Sequence, residues 1–243
     1  MVRVKEPIEI HRRYFSVSLR QRYSGYCPPA THHLKAVFHS LLAMTRPLKL
    51  HQRHKDTMRI CGVDEAGRGP LAGPVVAAAA VFHDNFIDDR IKDSKALSEQ
   101  QREKLFDYIR ENALAWSIVA VGPRRIEKIN ILQATKLAMK LAVERIDADL
   151  VLVDGNQPII SRLPQRTVVG GDRLHVQISA ASILAKVWRD RLMKKLALRY
   201  PGYGFERHSG YPTPAHKAAI VELGPCRVHR ATFAGVIVAS HAG

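Results

Sequence analysis

From Met58 onward, short apolar runs of strand length alternate with segments whose apolar residues recur at helical spacing. A chain patterned in this way buries both kinds of element by layering helices on a sheet, which places it in the α/β class. Residues 59–63 read as a strand closing on Asp64 and Glu65, and 74–82 as a second strand after a Gly- and Pro-rich turn. Runs at 116–121, 150–153 and 167–169 bring the expected sheet to five strands. Ser98 with Gln101 three residues later forms a capping box that opens a helix over 99–113, its buried side carrying Leu105, Tyr108 and Ile109. Further helices are predicted over 132–146, over about 177–200, where Pro201, Gly202 and Gly204 stop it, and over 214–223. At 243 residues and 46% hydrophobic content, one core with a tail is expected.

The tail is the first 57 residues, which hold 11 Lys and Arg against 3 Asp and Glu and show no sustained period. Half of the net charge of +16 therefore lies outside the patterned region, 58–243, which is read as the catalytic domain. A disordered extension and a start assigned too early, with Met44 or Met58 as the alternative, both account for this segment. It also has the charge of a basic arm for nucleic acid, whereas Glu6 and Glu9 interrupt the start that a transit peptide would have. The overall basic balance favours a polyanionic partner such as nucleic acid. Cys27, Cys61 and Cys226 show no C-x-x-C spacing, which suggests neither a disulfide framework nor a zinc site and fits a reducing, cytoplasmic setting. No apolar run reaches the ~18 residues of a membrane helix, so a soluble protein is expected, with a monomer as the default.

Asp64 and Glu65 end one predicted strand, Asp154 ends another in Asp154-Gly155-Asn156, and Asp172 follows a third after Gly170-Gly171. In an open α/β sheet, the carboxyl ends of neighbouring strands form the ligand crevice, so these acids can converge across 108 residues of sequence. Such a cluster repels itself unless divalent cations occupy it, and hard oxygen ligands select Mg²⁺ or Mn²⁺. Two such ions about 4 Å apart suit phosphodiester hydrolysis. Taken singly, each acid also has an ordinary reading: Asp154 as a turn former, Asp172 as a helix N-cap, and Asp64-Glu65 as a polar strand end.

The turn Gly67-Arg68-Gly69-Pro70-Leu71-Ala72 matches G-x-G-x-x-A, the pattern of a dinucleotide site. A dinucleotide turn must open a helix, whereas Pro70 and Pro74 lead here into a strand, and two acids would face the pyrophosphate. The glycines instead allow close backbone approach to a sugar or phosphate, with Arg68 adding charge; a tight turn with an exposed Arg is the competing reading. Ser179, Ser182, Lys186 and Arg189 recur at helical spacing as one polar stripe, readable as a phosphate-binding face or as a solvated one. Tyr211 before Pro212 is held extended, which suits an aromatic platform, although a lone Tyr more often packs. No chemistry is assigned to His208, His216 or His229.

These residues together resemble the ribonuclease HII family. Asp64-Glu65-Ala66-Gly67-Arg68-Gly69-Pro70 is similar to its opening motif, and the likeness runs on through Gly73-Pro74-Val75-Val76-Ala77, Asp93-Ser94-Lys95-Ala96-Leu97, Asp154-Gly155-Asn156 and Gly171-Asp172. It continues through 178–187 with Arg189-Asp190, Gly202-Tyr203-Gly204-Phe205, His208-Ser209-Gly210-Tyr211-Pro212-Thr213 and His229-Arg230. The resemblance implies a ribonuclease H-like mixed sheet flanked by helices, with a C-terminal helical part closing over substrate. It implies metal-binding, catalytic roles for Asp64, Glu65, Asp154 and Asp172. Gly67, Arg68 and Gly69 would read the junction between a ribonucleotide and the next deoxyribonucleotide, Tyr211 would stack on its sugar, and Ser182 and Lys186 would contact substrate. The implied activity is hydrolysis of RNA in RNA/DNA hybrids and incision 5′ to single ribonucleotides in duplex DNA, a function in replication and repair.

Gly170 and Ser209 depart from the family, which commonly has Lys at both places. Other ribonuclease H-like nucleases share an acid cluster but should lack the combination of Gly67-Arg68-Gly69 and Tyr211. A non-catalytic basic nucleic-acid-binding protein would bind hybrids and cut none.

Overall fold

The structure, a computed structural model, describes residues 42–46, 57–91 and 97–236. The motif residues 93–96 lie outside them. Six strands form one sheet in the order β1-β4-β3-β2-β5-β6. β1 is Leu42–Arg46, β2 Arg59–Ala66, β3 Val75–His83, β4 Ala115–Val121, β5 Leu150–Asp154 and β6 Gln165–Val168. The β1/β4, β4/β3 and β3/β2 pairs are antiparallel, while β2/β5 and β5/β6 are parallel, so the sheet is mixed as expected.

The expected strand count is corrected from five to six. The added strand, β1, falls inside the basic segment, where no period marks it. Ala43, Met44 and Thr45 are all exposed, and a strand attached to a sheet edge by main-chain pairing needs no alternation in its side chains. The other five strands lie within a few residues of their predicted places, and four of them, β2 to β5, have at least one buried face to pattern them.

The helices are α1 (Glu99–Asn112), α2 (Pro123–Val143), the single turn α3 (Gly171–Leu174), α4 (Val176–Arg199), the short α5 (Phe205–His208) and α6 (Pro214–Leu223). Ser98 and Gln101 make the predicted capping box on α1. α2 is broken at Asn130, whose backbone is left-handed at φ 61° and whose side chain accepts the Gln133 N–H, so a fresh helix starts there. The sequence pattern revealed only that second half.

β3 is the centre of the layering. Ala77 and Ala79 face one core, with Cys61, Val63, Val151, Val153 and the apolar side of α2. Val76, Ala78 and Ala80 face the other core, against Phe106 and Ile109 of α1 and Ala180, Ile183 and Leu184 of α4. Alanine on both faces of the central strand leaves room for helices on both sides. A third cluster, including Met193, Tyr203, Phe205 and Val228, joins the end of α4 to the C-terminal helices. Among the described residues, no helix is long and apolar enough to cross a membrane.

Candidate active site

The parallel register of β2 on β5 runs from Ile60↔Leu150 to Val63↔Val153, and one further step sets Asp64 beside Asp154. Neighbouring strands lie about 4.8 Å apart, so two carboxylates at one level on one face are forced together. That face is the α4 side, since Cys61, Val63, Val151 and Val153 alternate into the opposite core. Gly62 explains how α4 comes so near: a Cβ there would lie 2.1 Å from the Gln177 carbonyl carbon and 2.3 Å from the Ile178 nitrogen. The first turn of α4 therefore rests directly on the β2 backbone. One turn further along, the Ser182 hydroxyl donates to the Asp64 carboxylate.

Asp172 arrives by a different route. The Gly171 N–H donates to Asp154 Oδ1 at 2.8 Å, tying α3 to the end of β5 and bringing the buried Asp172 in with the next residue. Gly170, at φ 66°, occupies the N-cap of α3, so Asp172 is not the capping residue. Gly171 also leaves no room for a side chain, because a Cβ would meet Ile178 Cδ1 at 2.4 Å.

Burial pushes the Asp64 carboxyl well above the usual carboxylate range, and the charges of Glu65 and Asp154 push it further, against the Ser182 hydrogen bond and the Glu65 N–H. Burial also raises Glu65, where the Arg68 guanidinium 3.5 Å away opposes the effect and Asp154 adds to it. Asp64, Glu65 and Asp154 thus form one repelling group, three of the four acids expected in it. Arg68, from the turn that follows, is the cation standing beside them. Among the described residues, no three Asp, Glu, His or Cys side chains are drawn together tightly enough, as they stand, to hold a metal ion. In donor chemistry the group fits a hard cation: all oxygen, buried at Asp64, half-buried at Glu65 and Asp154, and mutually repelling.

The loop after β2 is held from behind by two buried arginines. Arg230, 0% exposed, donates to the carbonyls of Gly67 at 2.6 Å, Arg68 at 2.8 Å and Gly73 at 3.0 Å. Arg189, 1% exposed, donates to Pro74 at 3.1 Å and Ala72 at 3.2 Å. With no cis peptide here, each carbonyl and the following N–H point in opposite directions, so the N–H groups of Arg68 and Gly69 face away from Arg230. Gly67, at φ 94°, is needed for this packing, since a Cβ would fall 2.0 Å from Arg189 Nε. Burial lowers both guanidinium pKa values, Arg189 to about 10 and Arg230 to about 9, which leaves them charged at neutral pH.

The burial of Arg189 and its neighbours corrects the reading of the polar stripe as a solvated face. Ser179, Ser182 and Arg189 are buried, and only Lys186 reaches solvent, paired to Asp190 at 2.9 Å. Asp190 also accepts from the Ser209 hydroxyl at 3.1 Å. Tyr211 is 41% exposed beside the glycine loop, with its ring edge 3.7 Å from where a Gly69 Cβ would be. Sequence reasoning quotes both arginines, in Arg189-Asp190 and His229-Arg230, but gives neither a role in holding the loop.

A six-stranded mixed sheet of this order, with helices on both faces and carboxylates at the ends of β2 and β5, defines the ribonuclease H-like class of fold. Residues 61–236 match the family described as ribonuclease HII. The chain is 51% identical over 194 residues to the ribonuclease HII of Syntrophotalea carbinolica, covering 78% of this chain and 93% of that one. The crystal structure of ribonuclease H2 from Pyrococcus horikoshii superposes with a TM-score of 0.66 at 30% identity, covering 76% of this chain and 98% of that chain. A ribonuclease HIII from Bst solved in complex with Mn²⁺ shares the fold at a TM-score of 0.54 and 18% identity, over 76% of this chain and 70% of that one. The chain belongs to the ribonuclease HII family, and so to a family of endonucleases.

Proposed function

We propose that this enzyme hydrolyses RNA in RNA/DNA hybrids and incises duplex DNA on the 5′ side of single embedded ribonucleotides, with two divalent cations, Mg²⁺ or Mn²⁺. The observation that carries the reading is the junction of two opposite fields: the buried Asp64 and the half-buried Glu65 and Asp154, mutually repelling, end where a loop backed by Arg189 and Arg230 begins. Asp64, Glu65, Asp154 and Asp172 are the residues to hold the ions. Bound there, the ions supply Lewis acidity for attack by water and for departure of the 3′ oxygen.

The protein's own groups do the rest. Ser182 orients the Asp64 carboxylate and favours its ionised form, which is the form that binds a cation. The outward N–H groups of Arg68 and Gly69 offer donors to a ribose hydroxyl or phosphate, with Gly67 providing the turn and Arg68 the charge. Tyr211 offers a ring face to the sugar at the junction. Lys186, part-exposed and one turn along α4 from Ser182, binds a backbone phosphate in exchange for Asp190. We assign the catalytic unit to residues 58–243 and non-specific affinity for nucleic acid to the basic segment before it.

The test is cleavage of a DNA duplex containing one ribonucleotide, with Mg²⁺ or Mn²⁺, by the full chain, a chain starting at Met58, Asp64→Ala and Tyr211→Ala. The expected result is incision 5′ to the ribonucleotide, abolished by Asp64→Ala and weakened by Tyr211→Ala. Binding without cleavage of either this duplex or an RNA/DNA hybrid, under both metals, would overturn the proposal in favour of a binding protein.

A further inference from the structure

Three histidines in the C-terminal segment, which the proposed chemistry does not use, join into hydrogen-bonded contacts behind Tyr211. His216 and His229 are buried and face each other Nε2 to Nε2 at 3.1 Å, a contact that requires one N–H and one lone pair. The backbone decides which ring supplies which. His216 Nδ1 lies 2.8 Å from the Tyr211 carbonyl, which can only accept, so Nδ1 carries the proton and Nε2 the lone pair. His229 Nδ1 accepts the Cys226 N–H at 2.9 Å, so its proton is on Nε2. The same Nδ1 is 3.3 Å from the Cys226 carbonyl, but a proton placed there would oppose the Cys226 N–H donor to donor. The chain therefore runs in one direction, from Cys226 through His229 and His216 to the carbonyl of Tyr211. His208 stacks on His216 with ring centroids 4.5 Å apart, accepts the Gly210 N–H at 3.2 Å, and contacts the Tyr203 carbonyl through Nε2 at 2.9 Å.

We infer that His229, His216 and His208 are positioning residues that fix the backbone on both sides of Tyr211 and so hold its ring beside Gly69. The inference rests on the proposed reading of Tyr211 as the residue facing the ribonucleotide. Phe205 packs against all three rings, with centroids 5.5 Å from His216, 5.6 Å from His229 and 6.3 Å from His208. This apolar setting keeps the relay neutral: burial pushes His229 down to about 3 and lowers His216 as well. Neutrality is required, because a second proton on His216 would oppose the His229 N–H and break the chain.

Two measurements test the inference. Nitrogen-15 NMR of the imidazoles in the unsubstituted protein at pH 7 should show His216 protonated at Nδ1 and His229 at Nε2; the reverse tautomers or a charged ring would overturn it. Single-ribonucleotide duplex is then the probe for kinetics. His216→Phe keeps a ring but loses the donor, and it should lower kcat/KM at least tenfold. His216→Asn, whose amide nitrogen can stand at Nδ1, should stay within threefold of the parent. In a Tyr211→Ala background, His216→Phe should have no further effect. If the two losses multiply, or His216→Phe cuts like the parent, the positioning role is refuted. The NMR arm stands whether or not that variant folds. Failure of the unsubstituted enzyme to cut the duplex would instead refute the reading of function, leaving the tautomer result to judge the relay alone.

Discussion

Gly62→Ala tests whether α4 and β2 set the geometry of the acid site. The added methyl carbon would lie 2.1 Å from the Gln177 carbonyl carbon and 2.3 Å from both the Gln177 oxygen and the Ile178 nitrogen. Ordinary contact begins near 3.4 Å, so the gap must open by more than about 1 Å, and backbone atoms on both sides leave no rotamer to relieve it. Overpacking of this kind costs about 3 kcal/mol, at the upper end of its usual range, which for a chain of this size is a fall of roughly 6–12 °C in Tm. The chemical cost should be comparable to the stability cost, because Ser182 rides on α4 and donates to Asp64 on β2. A displacement of about 1 Å in catalytic geometry commonly costs on the order of 100-fold in rate. The assay is thermal melting beside cleavage of an RNA/DNA hybrid at saturating substrate, with Gly122→Ala as control, since a Cβ at Gly122 meets nothing within 4 Å. If Gly62→Ala melts within 2 °C of the parent and keeps a third of its rate, thresholds of about the assay error, the close approach does not set the site and the reasoning fails.

Three further outcomes are expected. Arg230→Met should lose at least about 3 kcal/mol in urea unfolding, because the buried carbonyls of Gly67, Arg68 and Gly73 lose their donor, and it should impair ribonucleotide discrimination more than hybrid binding. Asp64→Asn in chelator should melt above the parent, because removing a charge whose pKa is raised by burial and repulsion relieves the folded state; it should also lose the stabilisation that Mn²⁺ gives the parent. For His229, held near 3 when folded and near 6.5 when unfolded, the unfolded chain takes up the proton first as pH falls. Its contribution is therefore full above pH 6.5 and lost toward pH 3, about 2 kcal/mol of it between pH 7 and pH 5, and His229→Gln should remove that part of the pH dependence in metal-free urea melts.

What the sequence made legible follows from range. Strand ends, helix caps and the acids at strand termini are written in residues a few positions apart, and each was read close to its place. The neighbourhood of Asp64 and Asp154 followed from a general rule about sheet ends, and the parallel register of β2 on β5 is its physical basis. The polar stripe on α4 shows where such reading stops. Helical spacing establishes that Ser182, Lys186 and Arg189 share a side, but not what that side packs on. The carbonyl partners of Arg189 are 115 and 117 residues away, and those of Arg230 up to 163. The histidines were illegible for the same reason: His216 and His229 meet through the fold, and a buried neutral tautomer has no sequence signature. β1 was missed on other grounds, because an exposed edge strand is specified by main-chain pairing and leaves no alternation to see.

The two buried arginines also explain why a site headed by carboxylates can accept a polyanion. Every hydrogen bond given above for their guanidiniums ends on a carbonyl of the loop, so among the described residues the positive charges orient peptide dipoles instead of being cancelled by an ion pair. The Gly67 and Arg68 carbonyls, turned inward, turn the N–H groups of Arg68 and Gly69 outward, and the loop presents these positive dipole ends a few residues from three repelling acids. Arg68, 3.5 Å from Glu65, stands at the boundary between the two fields. Lysine could carry the same charge at 189 and 230, but a single ammonium cannot span the separated carbonyls that each planar guanidinium reaches. A phosphodiester approached by hard cations on one side and N–H donors on the other matches both fields at once. A neutral ligand would match neither, and a bare anion would be repelled by the acids.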